Sequence, residues 1–215
     1  MKRLLLLTLL LLGAGRVLAQ GEYYDQRRSL FEVLPIRSSD IVFLGNSITD
    51  GGEWAELFDN RHVRNRGISG DQTGWMLGRL DPILAGHPKR LFLMIGTNDL
   101  AVGISPDEVV ANIARIIERF QTESRWTRLF VQSILPVNGR DFSKFKGHYA
   151  HADAIVETNR LLQALCEEKG VTYIDLWPAL ANADGLLDSR YTNDGLHLVG
   201  EGYLEWRDAL KPYVK

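Results

Sequence analysis

Short, largely apolar runs, two of them unbroken, alternate along the chain with stretches whose apolar positions recur every three or four residues. Ile41-Val42-Phe43-Leu44 ends at Gly45, Leu91 to Ile95 forms a second run, Leu129 to Leu135 stops at Pro136, and Val171 to Leu176 is the last. Apolar runs of this length suit strands buried on both faces of a parallel sheet. Val63 to Ile68 is a weaker strand candidate. Between them, Trp54 to Phe58 reads as a short helix, and Gly74 to Leu84 as a helix with Trp75, Leu77, Leu80 and Leu84 on its apolar side. Ser105-Pro106-Asp107-Glu108 is a helix start: Ser105 caps, Pro106 suits the first helical position, and Glu108 returns the capping-box bond. That helix runs to about Gln121 and buries Val109, Ile113, Ile116, Ile117 and Phe120. Ala154 to Lys169 is helical and stops at Gly170, a natural residue to follow a helix. Residues 137–150 read as a long polar and aromatic loop, and Gly200 to Tyr213 as the last helix.

Five strands alternating with helices predict an α/β fold, a three-layer α/β/α sandwich around a five-stranded parallel sheet. An eight-fold βα barrel would need more strands. No repeat, linker or low-complexity tract divides the chain, so residues 20–215 are expected to form one domain. Residues 20–39, polar and aromatic, read as a lead-in that packs on its surface.

The first nineteen residues have a different character. Lys2 and Arg3 precede an apolar run, Leu4 to Leu12, broken only by Thr8, and Val17-Leu18-Ala19 places small residues where a signal peptidase cuts. The run is shorter than the roughly 20 residues that span a bilayer. The expectation is a cleaved signal peptide over residues 1–19, export to the periplasm or beyond, and no stable membrane insertion afterwards. Cleavage would remove Lys2, Arg3 and Arg16 and no acid, moving the formal charge from −2 to −5. A mildly acidic mature chain has no general attraction to nucleic acid. The single cysteine, Cys166, excludes an intrachain disulfide and reads as a buried, inert thiol in a helical pattern.

In an open parallel sheet the active site lies beyond the carboxyl ends of the strands. Gly45-Asn46-Ser47-Ile48-Thr49 follows the first strand, Gly67-Ile68-Ser69-Gly70-Asp71 the second, and Gly96-Thr97-Asn98-Asp99 the third. Thr192-Asn193-Asp194-Gly195-Leu196-His197 lies near the end of the chain. These are four polar, glycine-containing turns on one edge of the sheet. Taken singly, each has an ordinary structural use: Ser47 as a cap, Asn98 as a turn former, Asp194-Gly195 as a turn pair. The α/β-hydrolase elbow fails because Thr49 stands where its second glycine belongs. A P-loop fails because no Gly-Lys-Ser/Thr follows Gly45. No metal-ligand spacing is evident, and no cofactor is expected.

Together, in this order and spacing, the four segments resemble the four blocks of the SGNH (GDSL-like) hydrolases, a family with a flavodoxin-like sheet. Tyr191 to Leu198 and Gln132 to Asn138 are similar to its acetylesterase and platelet-activating-factor acetylhydrolase-like branch. The resemblance implies Ser47 as nucleophile, His197 as the base that activates it, and Asp194 as the carboxylate that orients and stabilises the imidazole. It further implies an oxyanion hole built from the backbone N–H groups of Ser47 and Gly70 and the side-chain amide of Asn98, with glycine at 70 because a side chain would obstruct close approach. Asn46 departs from the aspartate that often precedes the nucleophile. The substrate class implied is small acyl esters, acetyl above all, carried on carbohydrates such as sialic acids or other glycans. A lysophospholipase or thioesterase on the same residues, an acetyl transferase, and a catalytically silent glycan-binding module stay open as alternatives. Phe142, Phe145, Tyr149 and Trp177 are aromatic candidates for the cleft. His148 and His151 are either substrate contacts or surface groups, and His62 and His87 fall in expected surface turns.

Overall fold

The computed structural model describes residues 21–214; the expected signal peptide lies outside them. Five strands, β1 (Ile41–Gly45), β2 (Val63–Gly67), β3 (Arg90–Met94), β4 (Arg128–Gln132) and β5 (Thr172–Ile174), form one sheet in the order β2-β1-β3-β4-β5. Every pairing is parallel. With helices on both faces this is the predicted three-layer α/β sandwich. Because β1 leaves toward β2 on one side and β3 on the other, a crevice opens beyond the carboxyl end of β1, where such folds bind ligands.

The register explains the core. Phe43, Phe92 and Phe130 are in-register neighbours on β1, β3 and β4. Their rings stack at 4.9 and 4.6 Å. Trp54 stacks on Phe43 at 4.3 Å and meets Trp206 of the helix Gly200–Val214 edge-on. Offset and edge-on aromatic contacts of this kind add to area burial. The helices Pro106–Glu123 and Ala152–Lys169 pack against each other. Ser105 caps the first through Glu108 N–H at 3.2 Å, as predicted. Gly170, at φ +65°, ends the second in the left-handed conformation that glycine adopts at least cost. Cys166 is buried there, and burial pushes its thiol up to about 11.

Four expectations change in detail. The Gly74–Leu84 segment is two short helices, Thr73–Leu77 and Asp81–Leu84, broken at Gly78 and restarted at a proline-bearing turn. β4 stops at Gln132 although the chain stays buried to Leu135. There the Asn159 amide takes both backbone groups of Ile134, each at 2.8 Å, and replaces the ladder. The lead-in is a helix, Glu22–Val33, that buries only Tyr24 and Phe31. The 137–150 loop begins with buried Val137 and Asn138 and contains a short helix, Lys146–Tyr149.

Candidate active site

The four turns meet at one place. Ser47 is the first residue of a one-turn helix, Ser47–Asp50, immediately beyond β1. Asn46, whose identity departs from the family's usual aspartate, caps that helix, its Oδ1 accepting the Ile48 N–H at 3.1 Å. An asparagine oxygen serves a cap as well as a carboxylate does. Gly45 is required by close packing, since a Cβ there would lie 2.1 Å from Thr49 Oγ1 and 2.5 Å from the Met94 carbonyl. The turn is anchored from three sides. Trp54 Nε1 donates to the Thr49 carbonyl, Tyr203 Oη to the Ile48 carbonyl, and the Asn65 amide on β2 to the carbonyls of Thr49, Asp50 and Gly52.

His197 lies between Asp194 and Ser47. Its Nδ1 is 2.9 Å from Asp194 Oδ2 and its Nε2 is 3.0 Å from Ser47 Oγ, across 150 residues of sequence. Asp194 is fixed before it meets the ring, because its Oδ1 accepts the backbone N–H groups of Leu196 and His197 at 3.0 and 2.8 Å. Partial burial pushes the Asp194 carboxyl up, but these N–H groups and the imidazole outweigh it and hold the group below its ordinary value. A carboxylate that only accepts leaves Nδ1 as the protonated nitrogen of the neutral ring, and Nε2 as the acceptor facing Ser47.

The oxyanion candidates lie on turns that are hydrogen-bonded to one another, Ser69 to Asp50 and Asn98 to Asp71. Neither the Ser47 nor the Gly70 N–H donates to another backbone group among the described residues. Asn98 stands in the helix Thr97–Ala101 beyond β3 and donates one amide hydrogen to the Asp71 carbonyl at 2.9 Å. Glycine at 70 also has a backbone reason: its φ is +83°, a conformation that L side chains rarely adopt, while no protein atom lies within 4 Å of an added Cβ.

Some participants were not legible in the sequence. Arg79, 6% exposed, donates to Asp71 Oδ2 through Nε at 2.8 Å and Nη2 at 2.6 Å, and also to the carbonyls of Arg66 and Gly45. It joins the ends of β1 and β2 to the Gly70–Asp71 turn. Asp50, on the Ser47 helix, accepts from Tyr23, Arg27 and Ser69, so the N-terminal helix braces the same turn. Asp99 is fully buried and accepts from the N–H and hydroxyl of Thr73. Nothing in local spacing announces such contacts, which join segments separated by 8 to 34 residues.

Of the aromatic candidates, Phe145 stands edge-on to His197 at 5.1 Å, Tyr149 donates to the Asp194 carbonyl, and Phe142 packs where Gly195 lacks a side chain. Trp177 instead lines a separate groove with Val156, Tyr173 and Asp175. His148 reaches Asn98, whereas the His151 ring bonds only its own loop at the Gly147 carbonyl. His62 and His87 lie away from these residues, near Asp40 and Ser124. Among the described residues, no group of three His, Cys, Asp or Glu side chains is placed to hold a metal, and no helix is long and apolar enough to cross a membrane.

Comparison with known proteins identifies the family and the fold. Bovine (Bos taurus) platelet-activating factor acetylhydrolase IB subunit alpha1 is 28% identical over 178 residues, covering 78% of this chain and 71% of that protein. A solved structure from Streptococcus pneumonia, described as a candidate platelet activating factor, superposes with a TM-score of 0.80 at 32% identity over 89% of this chain and 90% of that one. A variant of Axe2, an acetyl-xylooligosaccharide esterase from Geobacillus Stearmophilus, shares the fold with a TM-score of 0.65 at 18% identity, over 82% of this chain and 94% of its own. The profile of the GDSL-like Lipase/Acylhydrolase family matches residues 43–204, most of the described chain, and the protein belongs to that family of carboxylic ester hydrolases.

Proposed function

We propose that the protein is an exported acetylesterase that removes O-acetyl groups from carbohydrates through an acetyl-Ser47 intermediate. The observation that carries the reading is the unbroken line Asp194–His197–Ser47, with contacts of 2.9 and 3.0 Å. Ser47 Oγ attacks the acyl carbon while His197 Nε2 takes its proton. The negative charge that develops on the carbonyl oxygen falls to the N–H groups of Ser47 and Gly70 and the second amide hydrogen of Asn98. The imidazolium, stabilised by Asp194, gives its proton to the leaving alcohol. Water then repeats the sequence on the acetyl-enzyme and restores Ser47.

Acetyl is favoured as the acyl group because the relatives named above are an acetylhydrolase and an acetyl-xylooligosaccharide esterase. Phe145 beside His197 offers an apolar wall suited to a short acyl group or a sugar face. Export rests on the leader pattern of residues 1–19. The test is hydrolysis of p-nitrophenyl esters from acetate to long chains, followed by acetate release from acetylated xylo-oligosaccharides. Rates that fall with chain length, together with acetate release from the sugar, support the reading. Equal rates on acetate and long-chain esters would replace it with a lipase or lysophospholipase.

A further inference from the structure

An amide can stabilise an oxyanion only if its nitrogen, and not its oxygen, faces the acyl group, and Asn98 has two neighbours that decide this. The Asp71 carbonyl can only accept, so Nδ2 must face it, at 2.9 Å. Oδ1 therefore faces His148 Nε2, at 3.1 Å. An amide oxygen can only accept, so Nε2 must carry the hydrogen.

We propose that His148 is a positioning residue for the oxyanion hole. Its Nε2–H locks the Asn98 amide with one hydrogen on the Asp71 carbonyl and the other turned toward the acyl oxygen. The inference rests on the esterase reading of Ser47, Asp194 and His197.

The backbone supports this placement independently of the bond. His148 lies in the helix Lys146–Tyr149, which packs against the helix Thr97–Ala101 that carries Asn98. The approach is close enough that a Cβ at Gly147 would lie 3.2 Å from the Ala101 carbonyl. On the other side of His148, Tyr149 donates to the Asp194 carbonyl, so the loop is fixed to the turn that carries the base. The His148 ring stands edge-on to Phe145 at 5.7 Å, and Phe145 packs in turn on His197. Burial, with the neighbouring His197 second, holds the His148 imidazole below its ordinary value. The ring is then neutral at pH 7–8, and the hydrogen-bond pattern selects the Nε2–H tautomer.

An amide free to rotate by half a turn would present its oxygen to a developing negative charge. Losing an oxyanion donor outright costs about 100- to 1,000-fold in turnover, and loosening one should cost about 10- to 100-fold. The test is steady-state p-nitrophenyl acetate hydrolysis at pH 8 by wild type, His148→Ala, His148→Gln and Ser47→Ala, with thermal unfolding of each. His148→Ala is expected to lose kcat by about 10- to 100-fold while KM changes less than about threefold. His148→Gln, whose amide N–H can donate over a similar reach, should recover most of the rate. A folded His148→Ala enzyme with wild-type kcat, or with its loss confined to KM, overturns the proposal, as does a His148→Gln enzyme no better than the alanine variant. Ser47→Ala separates the levels: wild-type rates in that variant bring down the esterase reading itself, whereas an inactive Ser47→Ala beside a fully active His148→Ala removes only the role of His148.

Discussion

Replacing Arg79 by methionine keeps most of the side-chain volume and removes the guanidinium donors at the junction of β1, β2 and the Gly70–Asp71 turn. Asp71, fully buried, loses the guanidinium that approaches its Oδ2 at 2.6 and 2.8 Å, and keeps only the Gln72 N–H at 3.0 Å. The carbonyls of Gly45 and Arg66 lose donors at 3.1 and 3.0 Å. Breaking a buried ion pair by removing one partner costs about 3–5 kcal/mol, a large share of the roughly 5–15 kcal/mol that holds a domain together. At about 2–4 °C per kcal/mol for a chain of this size, the melting temperature should fall by about 6–20 °C. The loss should depend on pH in a definite direction. Burial already pushes Asp71 up to about 6 against the pull of Arg79, and without the guanidinium it rises further. A carboxyl raised in the folded state is least costly below its unfolded value of about 4 and becomes more so as pH climbs through the folded one. The gap between wild type and Arg79→Met should therefore be wide at pH 8 and narrower at pH 5. Urea unfolding at both pH values measures it. A loss under about 1 kcal/mol at pH 8, well short of the figure for a broken buried pair, or a loss as large at pH 5, would refute the reasoning.

Asp99 should show the same sign on its own, because burial pushes it up to about 6 with no cation beside it: wild-type stability should decline between about pH 4 and 6, and Asp99→Asn should flatten part of that slope in urea titrations. Gly70→Ala forces a side chain to φ +83° and should cost about 1–2 kcal/mol along with much of kcat, read by unfolding and by p-nitrophenyl acetate turnover. Asp194→Asn should lower kcat by about 10⁴-fold with KM little changed, because the amide favours the wrong imidazole tautomer; a loss under tenfold would remove Asp194 from the mechanism.

The parts of the fold that the sequence disclosed are those where one physical cause dominates. β1 and β3 are buried on both faces, so their residues are apolar without alternation, and their ends fall at glycines or short polar turns. The helix Pro106–Glu123 carries its cap, its proline and its apolar stripe in local sequence. β4 was read three residues too long because Ile134 and Leu135 are apolar and buried like the strand before them, whereas the ladder ends where Asn159, from a distant helix, takes the bonds of Ile134. The N-terminal helix escaped notice because only Tyr24 and Phe31 of its twelve residues are buried. In the site, the turns carrying Ser47, Gly70 and Asn98 were legible as strand-end segments that share an edge, and the segment carrying Asp194 and His197, near the end of the chain, joined them through the family resemblance. Arg79 and Asp50 were not, because each acts across elements and has no partner at a periodic spacing, and His148 was legible only as a substrate contact or a surface group, its contact with Asn98 lying 50 residues away.

The central claim is that Ser47 is the nucleophile, and covalent labelling tests it most directly. Protein treated with a fluorophosphonate should gain one adduct, which peptide mass spectrometry places on Ser47, with p-nitrophenyl acetate activity lost in proportion. Ser47→Ala should take up none. An adduct on another residue that removes activity, or undiminished labelling and turnover in Ser47→Ala, would contradict the account.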